Sequence, residues 1–302
     1  MPGYHLPWFA AGASGVDARH GLRLELMEPA PGPENVRAVA SGSYDLCLTS
    51  VAHYLTAKRQ DPDLGAKFIF AIARRSHMAA IYGEGRPAAH GRPIKRVEDL
   101  AGASVLGEVD SPFVREHHAL MRELGLDPGP LVEVPYADVM LALATGAGDV
   151  APDHVDLLPT YAATAKPVRV EVAALPYYRA GLDVYGSGIV AGSELIEARP
   201  DFLCRVVAFA RDTLLQSRQN PAAGIDAIQA RYPGTDRDHA LAGWRCGEEL
   251  IFVDGDDQRL GSMDAERWRR TLDHFRLAHG GPTPNVEDVF DRSFVEDAQP
   301  AH

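Results

Sequence analysis

The pattern of apolar and polar positions over residues 33–54 predicts a helix, a short strand and a second helix in succession. Val36 and Val39 have the spacing of one helix face, whereas Leu46 and Leu48 alternate with other residues as in a half-buried strand. The chain therefore enters this strand from one helix and leaves it into another.

The end of that strand has the features of a small-molecule site. Thr49 and Ser50 close the strand, and Ser50 is the predicted cap of the next helix, whose first backbone N–H groups would point back over the strand end. Ser111, followed by Pro112, gives a similar helix start at a later strand end. Because ligands of open α/β sheets bind at the carboxyl ends of strands, the pattern predicts a site without identifying the ligand.

Strands and helices are predicted to alternate through the first two thirds of the chain. Apolar runs predict strands at 22–26, 66–73, 77–82, 104–106, 131–134, 168–172 and 183–190, and helices at 112–124 and 136–145, with another beginning at Asp153. Segment 83–93, rich in Gly and Pro, is predicted to be a surface loop near a domain boundary, and 174–181 a linker. This alternation is typical of an α/β protein with a mainly parallel sheet.

Beyond Glu194 the pattern changes to helices alone. Leu203, Val207 and Leu214 lie on one apolar helix face, and Trp268 belongs to another, so these residues are predicted to be core. A chain of 302 residues exceeds one ordinary domain. We therefore expect two α/β lobes with a helical C-terminal extension.

The net charge and the cysteine positions exclude several classes of function. The 42 acidic and 30 basic residues give a net charge of −12, which argues against nucleic acid or an anionic membrane as partner. Cys47, Cys204 and Cys246 show neither disulfide nor zinc spacing, so no metal and no cofactor is expected. The start has no signal-peptide pattern and no segment is apolar enough to span a bilayer. The chain as written is expected to be cytoplasmic, and a truncated start would instead indicate a periplasmic protein.

Several polar and aromatic residues have two explanations each. Aromatic residues bunched in a loop at 4–10 either stack on a flat ligand or pack under the first helix. Asp153 either caps a helix or joins a polar cluster with His154 and Asp156, the cap being favoured. His117 and His118 are predicted to form a solvated helix face.

An arginine pair has two explanations as well. Arg74 and Arg75 follow a strand near the predicted hinge. They either meet a sulfonate or carboxylate, or they are surface charges whose stems cover apolar area.

Several segments together resemble the SsuA/ThiY-like family of solute-binding proteins, which bind alkanesulfonates or thiamine pyrimidines and have the type II periplasmic-binding-protein fold. The similar segments are ASGSYDLCLTS, RVEDLAGASVLGE, HALMRELGLDP, ALATGAGDVAP, IVAGSELIEARPDFLCRVVAFARD, QNPAAGIDAI, GSMDAERWRRTLDHF and VEDVFDRSFV. Their order and spacing extend over nearly the whole chain.

The resemblance implies two lobes that hold a ligand in the cleft between them and close by a hinge. The first lobe would comprise residues 1–82 and 186–302, and the second residues 83–185. The family's cleft positions carry over to Tyr4, His5, Trp8, Thr49, Ser50, Asp110, Ser111, Tyr136 and Asp153.

The implied function is the substrate-binding protein of an ABC-type importer, which takes a small heteroaromatic or sulfonate-like organic molecule and has an ABC permease as partner. The alternative is a cytosolic enzyme on the same fold, similar to a desulfinase, a pyrimidine synthase or a decarboxylase or lyase. The chain shows no match to the synthase's cysteine-rich motif, and Cys47 does not align with the desulfinase nucleophile. A buried strand cysteine is more often packing than nucleophile, which leaves a Cys47/His53 dyad as the remaining catalytic hypothesis.

Overall fold

The computed structural model describes residues 5–27, 30 and 32–297. Its strands are β1 Leu46–Ser50, β2 Ala66–Ala73, β3 Met78–Gly83, β4 Val105–Gly107, β5 Leu131–Glu133, β6 Val150–His154, β7 Val172–Pro176 and β8 Ser187–Gly192. Its α-helices are α1 Leu6–Ser14, α2 Val16–Arg19, α3 Glu34–Ala40, α4 Val51–Gln60, α5 Pro112–Glu123, α6 Val139–Thr145, α7 Leu158–Ala165, α8 Ser193–Ala198, α9 Pro200–Gln219, α10 Pro221–Arg231, α11 Arg237–Ile251, α12 Ala265–His279 and α13 Ser293–Asp297. The α/β class is as predicted.

The chain divides into two compact units, each made of separate chain segments. The first unit comprises residues 1–75, 184–272 and 281–302, and the second comprises residues 76–183 and 273–280. The predicted first lobe included residues 76–82, whereas β3 lies in the second unit because it is hydrogen-bonded to β6 and β7.

The first unit contains a sheet with the strand order β1-β8-β2, in which β8 is antiparallel to both neighbours. Strands β1 and β2 therefore run in the same direction on either side of β8. Against the sheet packs a large apolar cluster, which includes Leu203, Val207 and Leu214 of α9 as predicted.

The second unit contains a sheet with the order β5-β4-β6-β3-β7. Strand β4 is parallel to β5 and β6, whereas β3 is antiparallel to β6 and β7. The prediction of a mainly parallel sheet is thus wrong for the first unit, whereas in the second unit four of the five strands run in one direction and only β3 runs against them. The core of the second unit includes Ile81, Leu106, Leu143 and Tyr161.

Two predicted strands are wrong. Residues 22–26 keep the expected alternation of half-buried and exposed side chains, but they form no strand, and the Leu24 N–H binds the Asp17 carboxylate at 2.8 Å instead. Residues 166–168 form a 3₁₀ turn that ends at Arg169, whose φ of 58° is left-handed, so β7 begins only at Val172. The predicted linker at 174–181 is consequently β7 and the turn that follows it.

The aromatic segment at the start is a helix rather than the predicted loop. Helix α1 begins at Leu6, with Pro7 in its first turn, and packs on α9 and α10. The contact is close, since a methyl group at Gly224 would lie 2.5 Å from Leu6 Cγ.

Candidate functional site

Two aromatic rings in the second unit form the base of the candidate site. Phe113 lies in the first turn of α5, which follows the end of β4, and Tyr136 opens a 3₁₀ turn that follows the end of β5. Their rings stack with centroids 5.7 Å apart and planes 25° apart. Because 46% of Tyr136 is exposed, its ring offers a flat surface to solvent.

Tyr136 is held in place at both ends. Its backbone N–H donates to Glu108 Oε1 at 3.1 Å, and its hydroxyl donates to Asp153 Oδ2 at 3.4 Å. Tyr161 donates to the same oxygen at 2.9 Å, and the His154 N–H donates to Asp153 Oδ1 at 2.8 Å. The exposed ring is therefore backed by a buried carboxyl group with fixed donors.

Asp153 lies within β6 and does not cap a helix, so the favoured explanation is wrong and the polar-cluster explanation is the one that its contacts support. Alternation along β6 places its side chain against Tyr136 and Tyr161. Burial raises the pKa of the Asp153 carboxyl to about 6, although hydrogen bonds from His154, Tyr161 and Tyr136 partly offset the burial, and Asp156 adds to the increase.

This shifted pKa predicts a pH-dependent stability. The folded-state pKa of about 6 exceeds the reference value of 3.8, so between these values the unfolded chain ionises first and unfolding is favoured. Relative to Asp153→Asn, the wild type should lose about 3 kcal/mol of unfolding free energy as pH rises from about 4 to about 6, and no more above that range. Urea unfolding of both proteins at several pH values measures this difference, and a difference independent of pH would contradict the shift.

Histidines complete the polar side of the cluster. The His154 ring contacts Phe113 edge to face at 5.3 Å and lies 5.4 Å from the ring of His77. His77 Nδ1 is 3.9 Å from Asp156 Oδ1. Burial acts to raise the pKa of Asp156, but the neighbouring His77 and His154 outweigh burial and lower it. Asp156 is therefore the anionic carboxylate of the pair, and Asp153 is the acid that titrates.

The other predicted residues of this unit lie near the start of α5. Ser111 is buried and occupies the cap position, but its hydroxyl makes no cap hydrogen bond. Asp110 precedes α5, is exposed, and pairs with Arg115 within that helix. The start of α5 is as predicted, whereas side-chain capping by Ser111 is not observed.

In the first unit, the predicted strand end at Thr49 and Ser50 is confirmed. Ser50 caps α4 by accepting the His53 N–H at 3.2 Å. Thr49 is buried, and its hydroxyl lies 3.4 Å from the Ser50 carbonyl. The first backbone N–H groups of α4 thus lie beyond the carboxyl end of β1, as the sequence predicts.

The predicted aromatic clamp at the start of the chain has a different environment. Trp8 is only 4% exposed and its ring is 6.3 Å from that of Phe209 within the core of the first unit. His5 is half-buried at the start of α1, and Tyr4 lies outside the described residues. The contacts of Trp8 support its packing explanation.

Cys47 has the environment of a packing residue. Its thiol is buried in β1, and burial raises the thiol pKa to about 12. A reactive cysteine needs a thiolate near neutral pH. Cys47 is therefore unsuited to act as the nucleophile of the Cys47/His53 hypothesis.

The prediction from the sequence did not name Phe113 as a site residue and gave His117 the wrong environment. The helix start at Ser111-Pro112 directly precedes Phe113 and is the feature that could have indicated it. His117 is fully buried, and its Nδ1 lies 2.6 Å from the Tyr177 hydroxyl, so it is not part of a solvated face. Burial lowers the pKa of His117 to about 3, which makes it a neutral core residue.

The described part of the chain contains neither a cluster of metal ligands nor a helix suited to span a bilayer. No group of three or more His, Cys, Asp or Glu side chains there could hold a metal ion. None of its helices combines the length and the apolar character that crossing a bilayer requires.

The two-unit α/β fold is that of the periplasmic-binding-protein class, as comparison with solved structures shows. SsuA from Escherichia coli, a periplasmic aliphatic sulphonate-binding protein, is 17% identical, with a TM-score of 0.69, over 95% of this chain and 89% of that protein. A periplasmic sulfonate-binding SsuA from Methylobacillus flagellatus is 15% identical, with a TM-score of 0.67, over 95% and 88% of the two chains. The desulfurization enzyme DSZB is 16% identical, with a TM-score of 0.57, over 97% and 95%.

The chain belongs to the NMT1/THI5-like family, whose profile matches residues 3–223. This match and the SsuA structures bear out the resemblance to the SsuA/ThiY-like group. No curated protein matches the sequence. At such low identities the structural likenesses establish the fold and not the ligand.

Proposed function

We propose that this protein is the substrate-binding component of an ABC-type importer and binds a small heteroaromatic or sulfonate-like organic molecule. The observation that carries the proposal is the exposed ring of Tyr136, stacked on Phe113 and tied to Asp153. An ABC permease would be its partner, and no cofactor is needed for such a role.

The aromatic pair suits a flat ligand for a physical reason. Phe113 covers one face of Tyr136, the hydroxyl bond to Asp153 limits the motion of the ring, and the bond from the backbone N–H to Glu108 fixes the main chain before any ligand arrives. A ligand ring that stacks on the remaining face therefore orders little further side-chain motion. Asp153 and His154 would then provide polar contacts at the edge of the ligand.

Anionic atoms of a ligand would find donors at helix starts. The first backbone N–H groups of α5 lie beyond the end of β4, beside the Ser111 hydroxyl, which does not cap them. At the start of α4, the Val51 N–H already donates to the Gly186 carbonyl and the His53 N–H to Ser50 Oγ. A sulfonate or carboxylate group is therefore better suited to the start of α5. That the ligand is held between the two lobes stays a prediction.

The similar proteins support transport over catalysis. Two of them are named as sulfonate-binding proteins and as periplasmic. Binding proteins of importers act outside the cytoplasmic membrane, so we infer a periplasmic location for this chain. DSZB shows that the fold also supports an enzyme, but the buried Cys47 gives that alternative no nucleophile at this position.

A ligand screen tests the function. The purified protein would be heated with alkyl and aryl sulfonates, sulfinates, pyrimidines and aromatic carboxylates, and each stabilising compound would then be analysed by mass spectrometry after incubation. A compound at about 100 times its Kd should add about 2.7 kcal/mol to the unfolding free energy. Recovery of the compound unchanged supports a binding protein, whereas conversion to a product would overturn the proposal in favour of the enzyme.

The aromatic platform predicts a specific loss on mutation. Tyr136→Ala should weaken binding of an aromatic ligand by about tenfold, because the stacked surface is lost, with little change in stability. Calorimetric titration measures the affinity. Tyr178→Ala, which removes another half-buried tyrosine of the same unit, is the control and should bind normally. Equal affinities of the two variants would show that Tyr136 does not contact the ligand.

A further inference from the structure

Arg74 in the first unit is a buried cation whose side chain forms no ion pair with any described residue. It directly follows β2 and is only 3% exposed. Both backbone groups of Arg74 are hydrogen-bonded. The Arg74 N–H donates to the Leu250 carbonyl at 2.9 Å, and the Arg74 carbonyl accepts from Arg267 Nη1 at 3.1 Å. Its buried Nε finds no hydrogen-bond acceptor, and its guanidinium no ion pair, anywhere in the described part of the chain.

The surroundings of Arg74 are also positively charged. Burial lowers the pKa of Arg74, and the nearby charges of Arg259 and Arg267 lower it further, whereas Tyr185 and Asp256 act in the opposite direction. The charges of two further guanidinium groups therefore act on Arg74, and Asp256 is the carboxylate that opposes them there. Asp256 is itself shared with Arg259, whose Nε lies 4.0 Å from it.

The carboxylate of Asp264, which contacts Arg267, is already occupied. Asp264 Oδ1 accepts the backbone N–H of Arg267 at 2.7 Å, and Asp264 Oδ2 accepts the Tyr185 hydroxyl at 3.2 Å. The Arg267 guanidinium lies over the ring of Tyr185, 5.4 Å from its centroid. These contacts hold Arg267 beside Arg74 without neutralising Arg74.

An uncompensated buried charge is costly, because desolvation removes its hydration and nothing replaces it. Guanidinium groups bind oxyanions through two parallel N–H donors, so an oxyanion is the natural counter-charge. The Arg259 side chain, whose charge acts on Arg74, is 59% exposed and therefore accessible to an anion from solvent.

We propose that Arg74, flanked by Arg259 and Arg267, is the centre of an oxyanion-binding site in the first unit, which takes free sulfate or the sulfonate group of a small organic molecule. The site does not depend on the aromatic platform of the second unit. The sulfonate form of the proposal rests on the proposed function, since both name a sulfonate-like ligand, whereas the sulfate form does not.

Titration calorimetry with sodium sulfate and with methanesulfonate, at an ionic strength kept constant with chloride, tests the site. We expect saturable binding to the wild type and at least about tenfold weaker binding to Arg74→Met. Tighter binding of methanesulfonate would identify the organic group as the source of the anion, and tighter binding of sulfate would identify the free ion.

Arg75→Met is the matched control, since it removes the same charge one residue away. Arg75 already pairs with Asp254 at 2.9 Å and should leave anion binding unchanged. Arg259→Gln, at an exposed position, should weaken anion binding several-fold. This variant replaces Arg74→Met as the test if Arg74→Met does not fold. Absence of saturable binding by the wild type, or equal losses in the Arg74 and Arg75 variants, would overturn the proposal. If the anion site is overturned in this way, a ligand found in the thermal screen would still support the proposed function.

Discussion

Trp8→Ala is expected to lower the unfolding free energy by about 3 to 5 kcal/mol, since it removes the largest side chain of α1 from a packed core. Trp8 is buried with Leu6 and contacts Phe209 of α9. A cavity of that size cannot be filled by neighbours that already touch on all sides. Urea unfolding followed by far-UV circular dichroism measures the loss.

Two further variants separate packing from ligand binding. Trp8→Phe keeps an aromatic ring in the core and should recover much of the lost stability. Tyr136→Ala, on an exposed ring, should lose well under about 1 kcal/mol. If Trp8→Ala were as stable as the wild type but no longer bound an aromatic ligand, the clamp explanation would replace the packing one.

Gly129→Ala is expected to destabilise the protein by about 4 kcal/mol, the second large effect. Gly129 has a φ of +76°, and an added Cβ would lie 1.8 Å from the Ala103 carbonyl oxygen. The backbone must therefore move, as no side chain is present there to rotate away. The connection from α5 to β5 would be displaced, and the midpoint of urea unfolding should fall accordingly.

Gly125→Ala is the matched control in the same connection. Gly125 also has a positive φ, of +67°, but an added Cβ meets nothing within 4 Å. Its cost should be only the left-handed strain of about 1 kcal/mol. Equal losses in the two variants would mean that backbone conformation alone, and not the contact with Ala103, decides the effect.

The positions of the strands along the chain were largely predictable, but the pairing of the strands in the sheets was not. Alternation located β1, whose burial alternates along the strand, and a continuous apolar run located β2, which is buried at all positions but one. Alternating strands and helices indicate that β1 and β2 run in the same direction, and they do. They do not indicate that β8 lies between the two, because that pairing joins segments more than a hundred residues apart.

The candidate site was predictable where it depended on local chemistry. Ser50 was found from its capping pattern, whereas Tyr136 was found through the resemblance to the SsuA/ThiY-like family. Asp153 was named as a site residue, but its favoured cap role is wrong, because a pattern of residues does not show where a strand ends. The lack of an ion pair at Arg74 could not be predicted, because it depends on carboxylates of distant segments that bind other residues: Asp254 pairs with Arg75, and Asp264 accepts the Tyr185 hydroxyl.

The central place of β8 affects the order in which a ribosome allows the protein to fold. Strands β1 and β2 are made first, yet both pair with β8, which ends at Gly192. All strands of the second sheet have been made by Pro176. During synthesis the earliest strands are therefore the last to be paired, and until then their apolar edges are open to aggregation.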